Sequence, residues 1–226
     1  EAELVITRNE VADAEAEIQR FKGALEKTIA ATQKMADDLA SRVGEKEAEI
    51  MQGHMMLLSD PMLTGEIENS VKNDKVNCEF AIENVCNTDM RDIKVRMQRT
   101  LMGLESVDVS LLPKGSILVA KDLTPSMTAG INPENVSGIV TELGGKTSHS
   151  AILARALEIP AVVAVNGLMD AVKDGDSVVL DGSTGEVFVN PEASVEKEYE
   201  EKRSQFLIDK KELEKYIGQP SVTKDG

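Results

Sequence analysis

The period of the apolar residues changes once along this chain, near residue 104, and that change calls for two subdomains of different class. Up to there, from residue 9, apolar side chains recur at three and four: Ile18, Phe21, Leu25 and Ile29, then Leu39 and Val43, with Gly44 placed as a C-cap. One long amphipathic helix is expected, followed by shorter ones over 45–58, 61–71, 76–85 and 89–104. The last carries Met90, Ile93, Met97, Leu101 and Leu104 on one stripe, and together they form a helical bundle. Beyond residue 104 come short β-branched runs: "SILVA" from Ser116, "VSGIV" from Val136, "AVVAV" from Ala161, "SVVL" from Ser177 and "EVFV" from Glu186. "DGSTGE" predicts a hairpin turn, and 124–131 and 148–157 keep helical spacing, so the second unit is a small α/β domain. A charge-dense helix over 191–217, with Val195, Tyr199, Phe206, Leu213 and Ile217 loosely periodic, reads as a linker. "PSVTKDG" follows it as if leading to a further domain.

Charge excludes whole classes of partner. With 25 Lys+Arg against 40 Asp+Glu the formal net charge is −15, which repels nucleic acid and anionic membranes. No apolar run reaches the length of a bilayer span and the N-terminus has no signal-peptide pattern, so a cytoplasmic location is expected. Aromatic residues make up only 3% and Trp is absent, so the cores must be built from aliphatics and the ten Met. Cys78 and Cys86 are expected to be reduced, small hydrophobes.

Only two histidines occur, and one lies in "GGKTSHSAILAR". Gly144 and Gly145 permit a turn, Thr147 or Ser148 can cap a helix, and Ile152, Leu153, Ala156 and Leu157 supply its buried face. His149 then stands in the first helical turn, where free backbone N–H groups favour an anion and the small side chains of Thr147, Ser148 and Ser150 leave room. A neutral imidazole there can accept a phosphoryl group on a ring nitrogen. Local physics equally allows a histidine that merely caps the helix. No second His or Cys lies near enough in sequence to suggest a metal site. Arg155, about 240° round the helix from His149, is assigned a structural role.

"GGKTSHSAILARALEIPAVV" resembles the phosphohistidine signature of the phosphoenolpyruvate-utilising enzymes. Within that group the chain is most similar to the bacterial phosphoenolpyruvate-protein phosphotransferases, the Enzyme I family of the sugar phosphotransferase system. "EAEIMQGHMMLLSDPML", from Glu47, resembles the Enzyme I segment that contacts the phosphocarrier protein. "DMRDIKVRMQRTLMGL", from Asp89, resembles its Asp-x-Arg-Asp helix, and "VAKDLTPSMTA", from Val119, the stretch whose second Thr bonds the active imidazole. The resemblance implies an α/β phosphohistidine swivelling domain with an inserted all-α helical-bundle subdomain. The implied division is 1–8 as the start of the α/β domain, 9–104 as the phosphocarrier-binding subdomain, 105–190 as the phosphohistidine domain, and 191–226 as a linker helix.

It further implies that His149 is the phosphoryl acceptor and that Thr128 orients it. Gly144, Gly145, Lys146, Thr147 and Ser148 would form the phosphate loop. His54, Met55, Met56, Leu57, Met62 and Leu63 would dock the histidine phosphocarrier protein, as Met-rich surfaces suit reversible partners; a plain core role for this stretch stays open. Phosphoenolpyruvate and Mg²⁺ would belong to a C-terminal domain outside this chain, no cofactor would be held here, and the chain would be a monomer. The alternatives are a central domain of a pyruvate phosphate dikinase or phosphoenolpyruvate synthase, whose kin carry Cys where Ser148 stands, and a non-catalytic regulatory module. Two departures stand out: the family's opening Ser-Pro-Gly strand is missing, and a turn-and-helix segment is absent between Val85 and Asp89, leaving the abrupt junction Cys86-Asn87-Thr88.

Overall fold

A computed structural model describes residues 4–215. Helix α1, Ala14–Arg42, starts where the Asp13 carboxylate accepts from the backbone N–H groups of Glu15 and Ala16. It buries Ile18, Phe21, Ala24, Thr28, Thr32, Ala36 and Leu39 at three- and four-residue spacing. It ends at Val43; Gly44, at φ +128°, lies one residue beyond the cap and starts the next helix, a backbone that an L side chain would resist. Three more helices follow: α2 (Glu45–Leu58), α3 (Pro61–Asp74), with Asp60 capping and Pro61 at the first helical position, and α4 (Cys78–Val85). The stretch expected as a helix from 89 to 104 divides. Asn87 caps a 3₁₀ turn at Thr88–Met90, so the short Cys86-Asn87-Thr88 junction suffices to reverse the chain. Helix α5 is Arg91–Leu101, and Gly103 at φ +65° ends the run.

These five helices enclose one core in which Phe21, Ile18, Leu58, Ile67, Ile82, Ile93 and Met97 are essentially inaccessible. Both cysteines lie in it. The Cys78 thiol donates to the Glu17 carbonyl (3.2 Å), and burial pushes both thiols up, Cys86 to about 11. The start of the described chain is tied to this half. Arg8 donates to the Asp74 carbonyl, Val11 N–H bonds Lys75 O, and Asn77 N–H bonds Asn9 O.

The second half alternates strand and helix: β1 (Ser116–Ala120), α6 (Pro125–Ala129), β2 (Val136–Thr141), α7 (His149–Ala156) and β3 (Ala161–Val162). The three strands make a parallel sheet in the order β1-β2-β3. The run "AVVAV" pairs over two residues only, because Ala164 turns to φ +63° and leaves the extended region. A four-residue helix, α8 (Leu168–Ala171), precedes the hairpin β4 (Val178–Asp181) and β5 (Glu186–Val189), closed by the expected "DGSTGE" turn. Helix α9, Ala193–Glu214, buries none of its residues. Tyr199 holds it to the hairpin through Glu186 and the Phe188 ring, and Lys210 pairs with Glu158. Ile217 and "PSVTKDG" lie outside the described residues.

A separate core joins the two halves. Ala36 and Leu39 of α1 and Ala48 and Met51 of α2 pack with Ala129 of α6 and Leu153 of α7. Met51, one of the methionines expected in the docking surface stretch, is thereby fully buried.

The hairpin docks on the parallel sheet where Gly138 leaves room for Leu180. A Cβ on Gly138 would lie 2.3 Å from Leu180 Cδ2. Gly138→Ala should therefore destabilise the chain by about 1–3 kcal/mol in urea unfolding. The double variant with Leu180→Ala should be more stable than the sum of the two single effects requires. Additive losses would show that this contact does not set the sheet-to-hairpin distance.

Candidate active site

The loop before α7 is built for a sharp entry. Gly144 sits at φ +101°, the Thr141 hydroxyl donates to Leu143 O (2.6 Å), and Ser148 N–H bonds Gly145 O. Ser148 is the N-cap, accepting from Ala151 N–H (3.3 Å), and its hydroxyl meets that of Ser150 at 3.0 Å. His149 is the first helical residue, as the sequence predicts, while the side chains of Lys146 and Thr147 are exposed. The buried face differs from expectation: Leu153 and Ala154 point inward, whereas Ile152 is 47% exposed and Ala156 is exposed. An eight-residue helix packed at one edge by the bundle buries a narrower face than periodicity alone suggests. Arg155 is exposed.

The His149 ring is half-buried against the helical half. Its Nε2 is closed off from solvent and, among the described residues, has no hydrogen-bond partner. Helix α2 brings His54 to the same place, where its Nδ1 is likewise buried without a hydrogen bond, 3.7 Å from Asp92 Oδ2 of α5. Asp92 is 8% exposed and accepts from both the backbone N–H (2.9 Å) and the hydroxyl (2.5 Å) of Ser126 on α6. Arg96, one turn beyond Asp92, is buried too and donates to the Thr32 hydroxyl at 2.5 Å.

Burial holds the His149 imidazole below the ordinary histidine range, and the Asp92 carboxylate only partly opposes it. Burial likewise lowers His54, with Asp92 pulling the other way and the charges of Arg96 and His149 adding to the effect. Both rings are therefore neutral at physiological pH, the form in which an imidazole nitrogen is a nucleophile.

Thr128 is buried in α6, and its hydroxyl donates to the Pro125 carbonyl (2.9 Å), the usual outlet for a helical Thr. The expected orienting bond to His149 is not made in this arrangement; no hydrogen bond among the described residues reaches the ring. The proposed docking surface divides. Met56 (76%) and Met62 (73%) are exposed, His54, Met55 and Leu57 are half-buried, and Leu63 belongs to the bundle core, because α3 turns it inward beside Ile67. Asp92, Arg96 and Ser126 were not singled out by sequence reasoning. The visible signal was an acid and a base at i, i+4 on the α5 stripe that also carries Ile93 and Met97, a costly place for charge unless it is used.

The chain is similar to known proteins along its whole length. The model of the N-terminal part of PEP-utilising enzymes matches residues 2–94 and that of their mobile domain residues 112–185. The phosphoenolpyruvate-protein phosphotransferases of Staphylococcus carnosus and Bacillus subtilis are 38% and 36% identical over all of this chain, which spans 43% of their length. The solution structure of an Enzyme I protein superposes with a TM-score of 0.79 at 35% identity, covering 91% of both chains. The N-terminal domain of a nitrogen-type Enzyme I gives 0.52 at 25% identity, covering 88% of both. The two matched segments fall on the helical half and on the α/β half carrying His149, and the chain belongs to the PEP-utilising enzyme family, in its phosphoenolpyruvate-protein phosphotransferase (Enzyme I) branch.

Proposed function

We propose that this chain is the phosphohistidine half of such a phosphotransferase, with His149 exchanging a phosphoryl group with a histidine phosphocarrier protein docked on the helical half. The observation that carries this reading is the half-buried imidazole at the first residue of α7, set against the helices of the matching N-terminal segment, where burial holds it below the ordinary histidine range. In the step itself, Nε2 attacks phosphorus, the N–P bond of the carrier breaks, and its electron pair returns to the carrier's imidazole. No proton need cross if each attacking nitrogen is the unprotonated one of a neutral ring. Because Nε2 is shut in against the helical half, the ring or the α/β half must move before transfer. We assign Mg²⁺ and the phosphoenolpyruvate site to the part of the curated relatives that this chain, spanning 43% of their length, does not cover.

Incubation with labelled phosphocarrier should give one phosphohistidine, labile in acid and stable in base. It should be absent in His149→Ala and present in His54→Ala; an acid-stable label, or one surviving in His149→Ala, would overturn the assignment.

The lowered His149 titration sets the pH dependence. With its folded value below the ordinary one of about 6.5, the ring stays neutral as pH falls to about 6.5, so the rate of phosphoryl uptake should hold level there and drop only at lower pH. Stability has the same sign: the unfolded chain takes up protons first, so folding free energy is lost as pH falls through the unfolded value. Stopped-flow transfer and urea midpoints between pH 5 and 8 check both.

Docking predicts that Met56→Asp weakens carrier binding with an unchanged unfolding midpoint, since Met56 is exposed. Leu63→Asp should instead unfold the bundle. Equal binding by Met56→Asp in calorimetry would remove this face from the interface.

A further inference from the structure

Helix α6 is five residues long, too short to hold its shape alone. Both its ends are held by the helical half, each by a side chain of the matching charge. At its N-terminal end, where backbone N–H groups lack helical acceptors, Asp92 of α5 takes the Ser126 N–H and the Ser126 hydroxyl. At its C-terminal end, where carbonyls lack donors, the Arg42 guanidinium at the end of α1 donates to Ile131 O (2.6 Å) and to Ala129 O. A third bond, from Arg42 Nε to Asp38 O (3.2 Å), fixes the fork on its own helix. The other face of α6 lies on α7: Ala129 shares a core with Leu153, and Met127 packs against the core that contains Ala154. Those two α7 residues follow His149 by about one turn.

We propose that Arg42 and Asp92 form a two-ended clamp on α6 that sets the position of the His149 ring, making Arg42 a positioning residue for the reactive histidine although it makes no hydrogen bond to it. The clamp acts through α6 on the seat of α7, and so decides how deeply the imidazole lies against α2 and α5. Its charges are complementary to the free ends of the short helix, so the α/β half is registered on the bundle by directed bonds as well as by the shared apolar core. The importance of the clamp for transfer rests on His149 being the phosphoryl acceptor; its effect on the ring does not.

The test is the titration of His149 by ¹⁵N-detected NMR of the ring nitrogens in the full chain, compared between wild type, Arg42→Gln and Arg42→Lys. The charged or titratable groups acting on the ring are Asp92 on α5 and His54 on α2, with Arg96 acting in turn on His54, and all are kept in these variants. Burial is the main cause of the lowered value, so a loosened seat lets water reach the ring and raises its midpoint by about half a pH unit. Arg42→Gln should show that rise and slow exchange with phosphorylated carrier about tenfold at unchanged KM, while Arg42→Lys recovers part of both. An Arg42→Gln chain with a lowered unfolding midpoint but a wild-type His149 titration would overturn the clamp and leave Arg42 a stabilising residue only. Ser126→Ala, which removes the hydroxyl bond at the other end and keeps the backbone one, should move the ring in the same direction; an unmoved ring there would confine the effect to Arg42 and refute a two-ended clamp. If wild-type chain takes no phosphoryl group from the carrier, the phosphotransfer reading fails while the titrations still decide the clamp.

Discussion

The packing of Leu39 and Met51 from the bundle against Ala129 and Leu153 from the α/β half is the contact on which the rest of the molecule depends. Without it there are two small units, one all helical and one with a three-stranded sheet whose last strand pairs over two residues, and nothing to bring His149 to α2 and α5. Leu39 and Met51 are fully buried, so at roughly 1.5–3 kcal/mol for each large apolar side chain withdrawn from water they contribute about 3–6 kcal/mol, shared between the α1–α2 packing and the seam. Large apolar terms hold the halves together but carry no direction. Direction comes from the few polar bonds around the seam, above all those of Asp92 and Arg42.

Much of this architecture was legible in the sequence because local signals and tertiary packing agree. Helix α2 and strand β1 occupy the residues that spacing assigned to them, and the Gly-Gly turn, the serine cap and the histidine at the helix start follow from residue chemistry alone. The errors share one cause. Leu63, Ile152 and Met51 were assigned to faces whose exposure depends on what packs there, and periodicity says which residues share a face without saying what covers it. The residues around the imidazole were harder still. His54, Asp92, Ser126 and His149 come from four different helices, so their meeting is a property of the fold; only the charged pair on the α5 stripe left a trace in the sequence. The second Thr of "TPSMT" shows the same limit from the other side, since its place beside α7 was readable and the acceptor of its hydroxyl was not.

In the role proposed for it, His149 has a setting that reconciles two demands on a phosphoryl-carrying imidazole. It must be unprotonated to attack, and burial arranges this without any neighbouring base, since withdrawing a ring from water penalises its cationic form. It must also meet its partner, which burial opposes. The polar bonds around the ring are few, so a shift of the ring exchanges only these for water, whereas a movement of the whole α/β half would also open the apolar core between the halves.

The placement of the two thiols separates redox chemistry from phosphoryl chemistry. Cys78 and Cys86 lie in the core of the bundle, both raised well above neutral pH, and neither is among the groups that face His149. A thiol is attacked by peroxides and disulfides as the thiolate, so these two are inert for as long as the helices stay packed. Oxidants would thus reach these two sulfurs only after the bundle opens. In the folded molecule the Cys86 sulfur is a small apolar volume, and that of Cys78 adds one hydrogen bond to Glu17 O.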